Sequence, residues 1–208
     1  MNWIRRKKLK EKTLGTRTIT LIGIMTAIII VLSVTPGLGY IPIGPIDATI
    51  LHIPVIILAI VEGPVAGAIL GLMFGVTSLI KAFVVPTPFS FIFMNPIVSV
   101  LPRILIGLLT GLIYKAIKNR KSIGKASIGI AAGIGSLINT IGVLGLIFII
   151  YGQAYMETVN QVNNAANTSA LKLIGGIALT SGLAEMLVSI IIATPICFAL
   201  LKAFKRGR

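Results

Sequence analysis

Negative charge is scarce in this chain. Its 208 residues hold 5 Asp and Glu against 19 Lys and Arg, for a formal net charge of +14 with the one histidine neutral. Charged residues amount to 12%, about half the share of an ordinary soluble domain. A soluble enzyme would need more charge, and a disordered chain would need far less apolar content. One cysteine, Cys197, excludes an internal disulfide and a cysteine-based zinc cluster. The sequence lacks HExxH, GxSxG, a paired-glutamate motif and a P-loop, so no familiar hydrolytic centre is written in it. Without a Walker sequence the chain does not hydrolyse ATP in the usual way. Five acidic residues scattered over five regions supply a proton relay thinly.

What is abundant is apolar. Hydrophobic residues make up 56%, and mean hydropathy is +1.02. Apolar stretches recur at about the ~20 residues that a membrane-crossing helix needs. The composition therefore reads as one polytopic membrane domain over residues 1–208. The basic residues fall mainly into three blocks. Residues 1–17 carry Arg5, Arg6, Lys7, Lys8, Lys10, Lys12 and Arg17, residues 115–125 carry Lys115, Lys118, Arg120, Lys121 and Lys125, and the tail 202–208 carries Lys202, Lys205, Arg206 and Arg208. Basic clusters beside spans mark the cytoplasmic face and favour anionic lipid. Nucleic acid is not implied, because no basic groove interleaved with aromatics accompanies the charge.

Six spans fit between these blocks, within a bundle over residues 18–201. They cover about Thr18–Val34, Ala48–Val61, Val65–Ile80, Asn95–Ala116, Ala126–Tyr151 and Ser169–Leu201. The first is not read as a cleaved signal, since no small-residue cleavage pattern follows it. The second is short for a full crossing. Residues 35–47, with three prolines and three glycines, read as an ordered outer loop. Glu62-Gly63-Pro64 reads as a tight inner turn, and residues 81–94 as an outer loop rich in Phe and Pro. Residues 152–168 are amide-rich and read as a third outer loop. An even span count puts both termini and all three basic blocks on the cytoplasmic side.

Glycines punctuate the spans. Gly63, Gly67, Gly71 and Gly75 recur every four residues, Gly107 and Gly111 do so on the fourth span, and Gly129 and Gly133 on the fifth. At helical pitch each set forms a smooth stripe where a neighbouring helix approaches closely. Packing within the bundle is the plainer reading, and contact with a partner subunit is the other.

Ionisable groups inside spans are costly and are often functional. Arg103 follows Pro102 about eight residues into the fourth span, roughly 12 Å from its outer end at helical rise. A guanidinium there needs either an internal carboxylate such as Glu185 or an anionic or carbonyl-bearing ligand. Asn139 and Thr140 lie at comparable depth on the fifth span. Asn95, beside Pro96, either caps a helix or faces a ligand. His52, one turn into the second span, is either a hydrogen-bonded structural residue or part of a polar site. Tyr40, Gln153 and Tyr155 belong to outer loops able to close over a small polar ligand. No metal site and no cofactor are expected.

The runs TPGLGYIPIGPIDATILHIPVIILAIVEGPVAGAILGLMFGVTSLIKAF, FMNPIVSVLPRILIGLLTGLIY and INTIGVLGLIFI resemble the S components of energy-coupling factor (ECF) transporters. The resemblance is nearest to the pantothenate-type members. It extends over about residues 18–150 and more loosely through the sixth span. It implies an all-α membrane fold of six transmembrane helices with both termini cytoplasmic, in a prokaryotic cell membrane. It also implies capture of a water-soluble vitamin at the outer face, without enzymatic activity. Delivery then requires a transmembrane coupling subunit of the EcfT type and two cytoplasmic ATPases. Small residues on the first helix contact the coupling subunit in this family, and Gly23 and Ala27 stand at the matching positions. On chemical grounds Arg103 would pair with the pantothenate carboxylate, while Asn95, Asn139 and Thr140 would meet its amide and hydroxyls. Tyr40 and His52 complete the candidate set. The rival expectations are another vitamin (a pyrimidine or thiamine precursor, a pyridoxine type, riboflavin or folate) stacked on Phe89, Phe91, Phe93, Tyr40 or Tyr155, a stand-alone secondary carrier, and a membrane-embedded enzyme.

Overall fold

A computed structural model describes residues 14–35, 37–41, 48–120, 123–124, 126–163 and 170–206. The order is α1 (Thr16–Val34), β1 (Tyr40–Ile41), β2 (Ala48–Thr49), α2 (His52–Val61), α3 (Pro64–Val84), α4 (Ser90–Phe93), α5 (Pro96–Ile117), α6 (Ala126–Asn163) and α7 (Ala170–Arg206). Most of the N-terminal basic block and the stretch 42–47 lie outside the described residues.

The helices α1, α3, α5, α6 and α7 are long and apolar enough to cross a membrane. The second expected span differs. Its helix begins at His52, and Ala48–Thr49 instead pairs antiparallel with Tyr40–Ile41, Tyr40 opposite Thr49 and Ile41 opposite Ala48. At ten residues, α2 is about 15 Å long, roughly half the ~30 Å hydrocarbon thickness. Every residue from His52 to Ile60 is buried, and α2 touches α1, α3, α5, α6 and α7. It is the hub of the bundle. A short helix is tolerated there because the backbone at its ends is surrounded by protein rather than lipid.

The glycine stripe decides how α3 and α5 meet. A Cβ on Gly71 would overlap the Arg103 carbonyl, one on Gly107 the Gly67 carbonyl, and one on Gly75 would stand 2.7 Å from the Val100 Cα. The two helices thus run antiparallel with backbones touching. This stripe serves packing within the bundle. Gly63 stands apart from it, with a φ of +104° and open space around it. Its role is the turn of Glu62-Gly63-Pro64, where Pro64 starts α3. On the fifth span Gly133 faces Ile190, and the α6–α7 contact follows.

Two segments expected as outer loops are more helical than their composition suggests. α6 continues past Tyr151 to Asn163, so the first part of the expected loop 152–168 is helix. Tyr151 and Tyr155 explain the extension. Tyr151 stacks edge-on against Phe91, centroids 5.7 Å apart, and Tyr155 meets Phe89 at 5.5 Å. Tyr155 is fully buried in a second apolar cluster with Ile92, Val98, Val143, Ile147 and Ile174. It is therefore a core residue on a helix and not a loop residue. Within residues 81–94, α3 runs on through Val84 and α4 fills Ser90–Phe93.

At the opposite end of the bundle, Arg17 of α1 donates to Glu62 Oε1 at 2.6 Å, and the Thr18 hydroxyl donates to Glu62 Oε2 at 2.7 Å. The Arg17 guanidinium also lies 3.4 Å over the Phe204 ring. These contacts tie α1 and α7 to the α2–α3 turn, on the end where Lys115, Lys118 and Lys202 lie.

A polar cavity between α3, α5, α6 and α7 as the candidate binding site

The packing order is α3 on α5, α5 on α6 and α6 on α7. Near the end where α3 finishes and α5 and α7 begin, these helices part around a cavity of about 220 Å³. That is below the ~300–1,000 Å³ of pockets for drug-sized ligands. It suits a compact molecule.

Its walls divide by chemistry. α3 contributes Lys81 and Ser78, α5 contributes Arg103, α6 contributes Asn139 and Thr140, α7 contributes Ser181 and Glu185, and β2 contributes Thr49. Ala82, Val85, Phe89, Phe93, Val143, Leu144 and Ile177 supply apolar surface. Both cations thus come from the α3/α5 half and the carboxylate from α7.

Arg103 is 4% exposed. Its placement follows from the residue before it. Pro102 lies inside α5 and has no N–H, which leaves the Val98 carbonyl without its usual donor four residues on. Arg103 Nη1 donates to that oxygen at 2.9 Å. The rings of Phe74 and Phe93 stand 5.3 Å and 5.8 Å from the guanidinium carbon, within cation–π range.

Glu185 receives two hydrogen bonds. The Thr49 backbone N–H donates to Oε1 at 2.6 Å and the Thr140 hydroxyl to Oε2 at 3.1 Å. One carboxylate therefore holds β2 against α6 and α7. Asn139 Oδ1, Ser181 Oγ and Thr49 Oγ1 are buried at this cavity without a hydrogen-bond partner among the described residues. Buried polar atoms are nearly always bonded, so these three give the cavity wall unused hydrogen-bonding capacity.

Three of the expected site residues, Arg103, Asn139 and Thr140, come together here. Asn95 does not. It is the N-cap of α5, its Oδ1 accepting from the Ile97 N–H at 2.9 Å while its Nδ2 donates to the Tyr151 hydroxyl at 3.2 Å. His52 does not either. It is wholly buried, with Nε2 sharing hydrogen bonds with Ser136 Oγ at 3.1 Å and Ser189 Oγ at 2.8 Å. Both are engaged by neighbours away from the cavity, His52 through Nε2. Tyr40 contributes backbone to β1, and its side chain lies outside the described residues. Gln153 is exposed on α6. Gly23 and Ala27 are exposed on α1, with open space where a Gly23 Cβ would stand.

Sequence reasoning missed Lys81, Ser181 and Thr49 at the cavity, and treated Glu185 only as a partner for Arg103. A signal for Lys81 was present. Antiparallel glycine stripes that bring Gly71 to Arg103 carry the end of α3 toward the start of α5.

Residues 17–197 match the family described as ECF transporter, substrate-specific component. The chain belongs to this family. It is 34% identical over 173 residues to the pantothenic acid transporter PanT of Lactococcus lactis subsp. cremoris, covering 76% of this chain and 80% of that protein. It is 31% identical over 188 residues to the pantothenate transporter PanT of Leuconostoc mesenteroides subsp. mesenteroides, covering 87% and 90%. As an ECF S component the chain is a membrane transport subunit.

Proposed function

We propose that this S component captures pantothenate in the cavity bounded by Arg103, Lys81, Asn139, Thr140, Ser181 and Glu185. Pantothenate has one carboxylate, one amide and two hydroxyls. Two cations and one carboxylate at the cavity wall favour a ligand carrying a single negative charge. The buried Asn139 Oδ1 and Ser181 Oγ need polar partners, and the ligand's hydroxyls and amide are such groups. The observation that carries the reading is this small cavity with Arg103 at its buried wall. The names of the two relatives point the same way. Riboflavin or folate stacking is disfavoured by size, and Phe89 is already committed to Tyr155.

In this reading the chain is one membrane domain over 1–208, with a basic segment at 1–17, a bundle over 18–201 and a basic tail at 202–208. α2, extended by the β1–β2 ladder, completes six membrane-embedded segments in a prokaryotic cell membrane. Both termini are cytoplasmic, on the side of the basic helix ends, and the cavity opens outward. ATP hydrolysis belongs to two cytoplasmic ATPase partners, reached through an EcfT-type coupling subunit. The exposed apolar face of α1 that carries Gly23 and Ala27 is the contact for that subunit.

Native mass spectrometry of the detergent-purified chain with a panel of vitamins tests the reading. A bound mass equal to pantothenate, displaced by pantothenate and by no other vitamin of the panel, is expected. Retention of an aromatic vitamin instead would overturn the substrate. Uptake by the chain without ATPase partners would favour a stand-alone carrier.

A further inference from the structure

Among the described residues Glu185 is the one carboxylate at the cavity wall, and it lies on α7, across α5 and α6 from Lys81. Both of its oxygens already accept a hydrogen bond, from the Thr49 N–H and the Thr140 hydroxyl. An ionised carboxylate has about four lone-pair positions, so capacity for further donors remains. Ser181, one helical turn before Glu185 on α7, and Asn139, beside Thr140 on α6, present the buried unpartnered Oγ and Oδ1 at the same wall. The α6/α7 half thus offers acceptors together with one fixed negative charge.

We propose that Glu185 determines specificity: it accepts a hydroxyl of the ligand and excludes ligands that carry a second negative charge at that end. The proposal rests on reading the cavity as the pantothenate site, and it adds an orientation. The ligand's carboxylate lies toward Arg103 and Lys81 on α5 and α3, and its hydroxyls lie toward α7. A phosphate ester on a ligand hydroxyl would set a dianion against the half-buried Glu185 carboxylate, where repulsion is screened less than in bulk water. The S component would then take the free hydroxy acid and reject its phosphate ester.

The test is calorimetric binding to the full-length chain in detergent, with three ligands: pantothenate, its phosphate ester at the terminal hydroxyl, and a neutral carbamate ester at the same hydroxyl. The carbamate is close to the phosphate in bulk and has no charge. Wild type should bind the carbamate at least about tenfold more tightly than the phosphate. Equal affinities would mean that size alone discriminates and would overturn the proposal without any variant. Glu185→Gln keeps one oxygen acceptor for the Thr49 N–H and removes the charge. It should weaken pantothenate by about tenfold and narrow the gap between carbamate and phosphate by a similar factor. An unchanged gap in a folded Glu185→Gln chain would also overturn it. If wild type fails to bind pantothenate while another vitamin binds, the substrate reading itself falls, which is a different result from a failed gap.

Discussion

The Arg103 guanidinium donates to the Val98 carbonyl, 2.9 Å away, the oxygen that Pro102 leaves without a backbone donor. A helix-breaking residue and a buried cation thus compensate one another within one turn of α5. The same cation faces the cavity. Its structural role and the binding role proposed for it can be tested separately.

Arg103→Ala should reduce pantothenate affinity by about 100-fold or more, since it removes the charge-assisted contacts available to the ligand carboxylate. Expression should persist, with a lower melting temperature from the orphaned Val98 carbonyl. Adding Pro102→Ala returns an N–H to that position and should recover much of the melting temperature but none of the affinity. Calorimetry and thermal melts of the single and double variants check this. Unchanged affinity in Arg103→Ala would remove the residue from the site.

His52→Ala should act on the fold. It leaves Ser136 and Ser189 without their shared partner and opens a void in the fully buried α2. A loss of about 2–4 kcal/mol follows from unsatisfied polar groups together with a cavity. Pantothenate affinity, measured below the melting temperature, should stay close to wild type. Loss of binding in a fully folded variant would return His52 to the site.

Two glycine substitutions should move stability in opposite directions. Gly71→Ala drives a methyl into the Arg103 backbone, and overpacking of that kind costs about 1–3 kcal/mol or more. It should weaken binding too, because α3 and α5 carry Lys81 and Arg103. Gly145→Ala meets nothing within 4 Å and should stabilise α6 by up to about 1 kcal/mol. Melting curves in one detergent compare them.

Gly23→Leu with Ala27→Leu should leave the vitamin site intact. Both positions are exposed on α1, beside Ile24 and Ile28. Bulk on that face should prevent co-purification with the coupling subunit while calorimetry still shows pantothenate binding. Normal co-purification would place the contact elsewhere.

Much was determined by the sequence itself. The scarcity of acid, the long apolar runs and the basic blocks follow from solvation: hydrocarbon excludes charge, so charge collects at the ends of helices. Glu62-Gly63-Pro64 is a turn because its residue types leave the backbone little else. Arg103 stood out because a cation in a span demands a reason. Asn139 and Thr140 were legible on the same ground. Other features depended on neighbours that sequence separation hides. α6 runs past Tyr151 because Phe89 and Phe91, some sixty residues earlier, receive its tyrosines. His52 and Asn95 are polar like Asn139, yet Ser136, Ser189 and Tyr151 engage them away from the cavity. Lys81 and Glu185 reach one cavity only because glycine stripes bring α3 onto α5 and α6 carries α7 alongside. Local chemistry decides which residues are costly to bury. Tertiary packing decides which of them find partners inside the protein and which remain to meet a ligand.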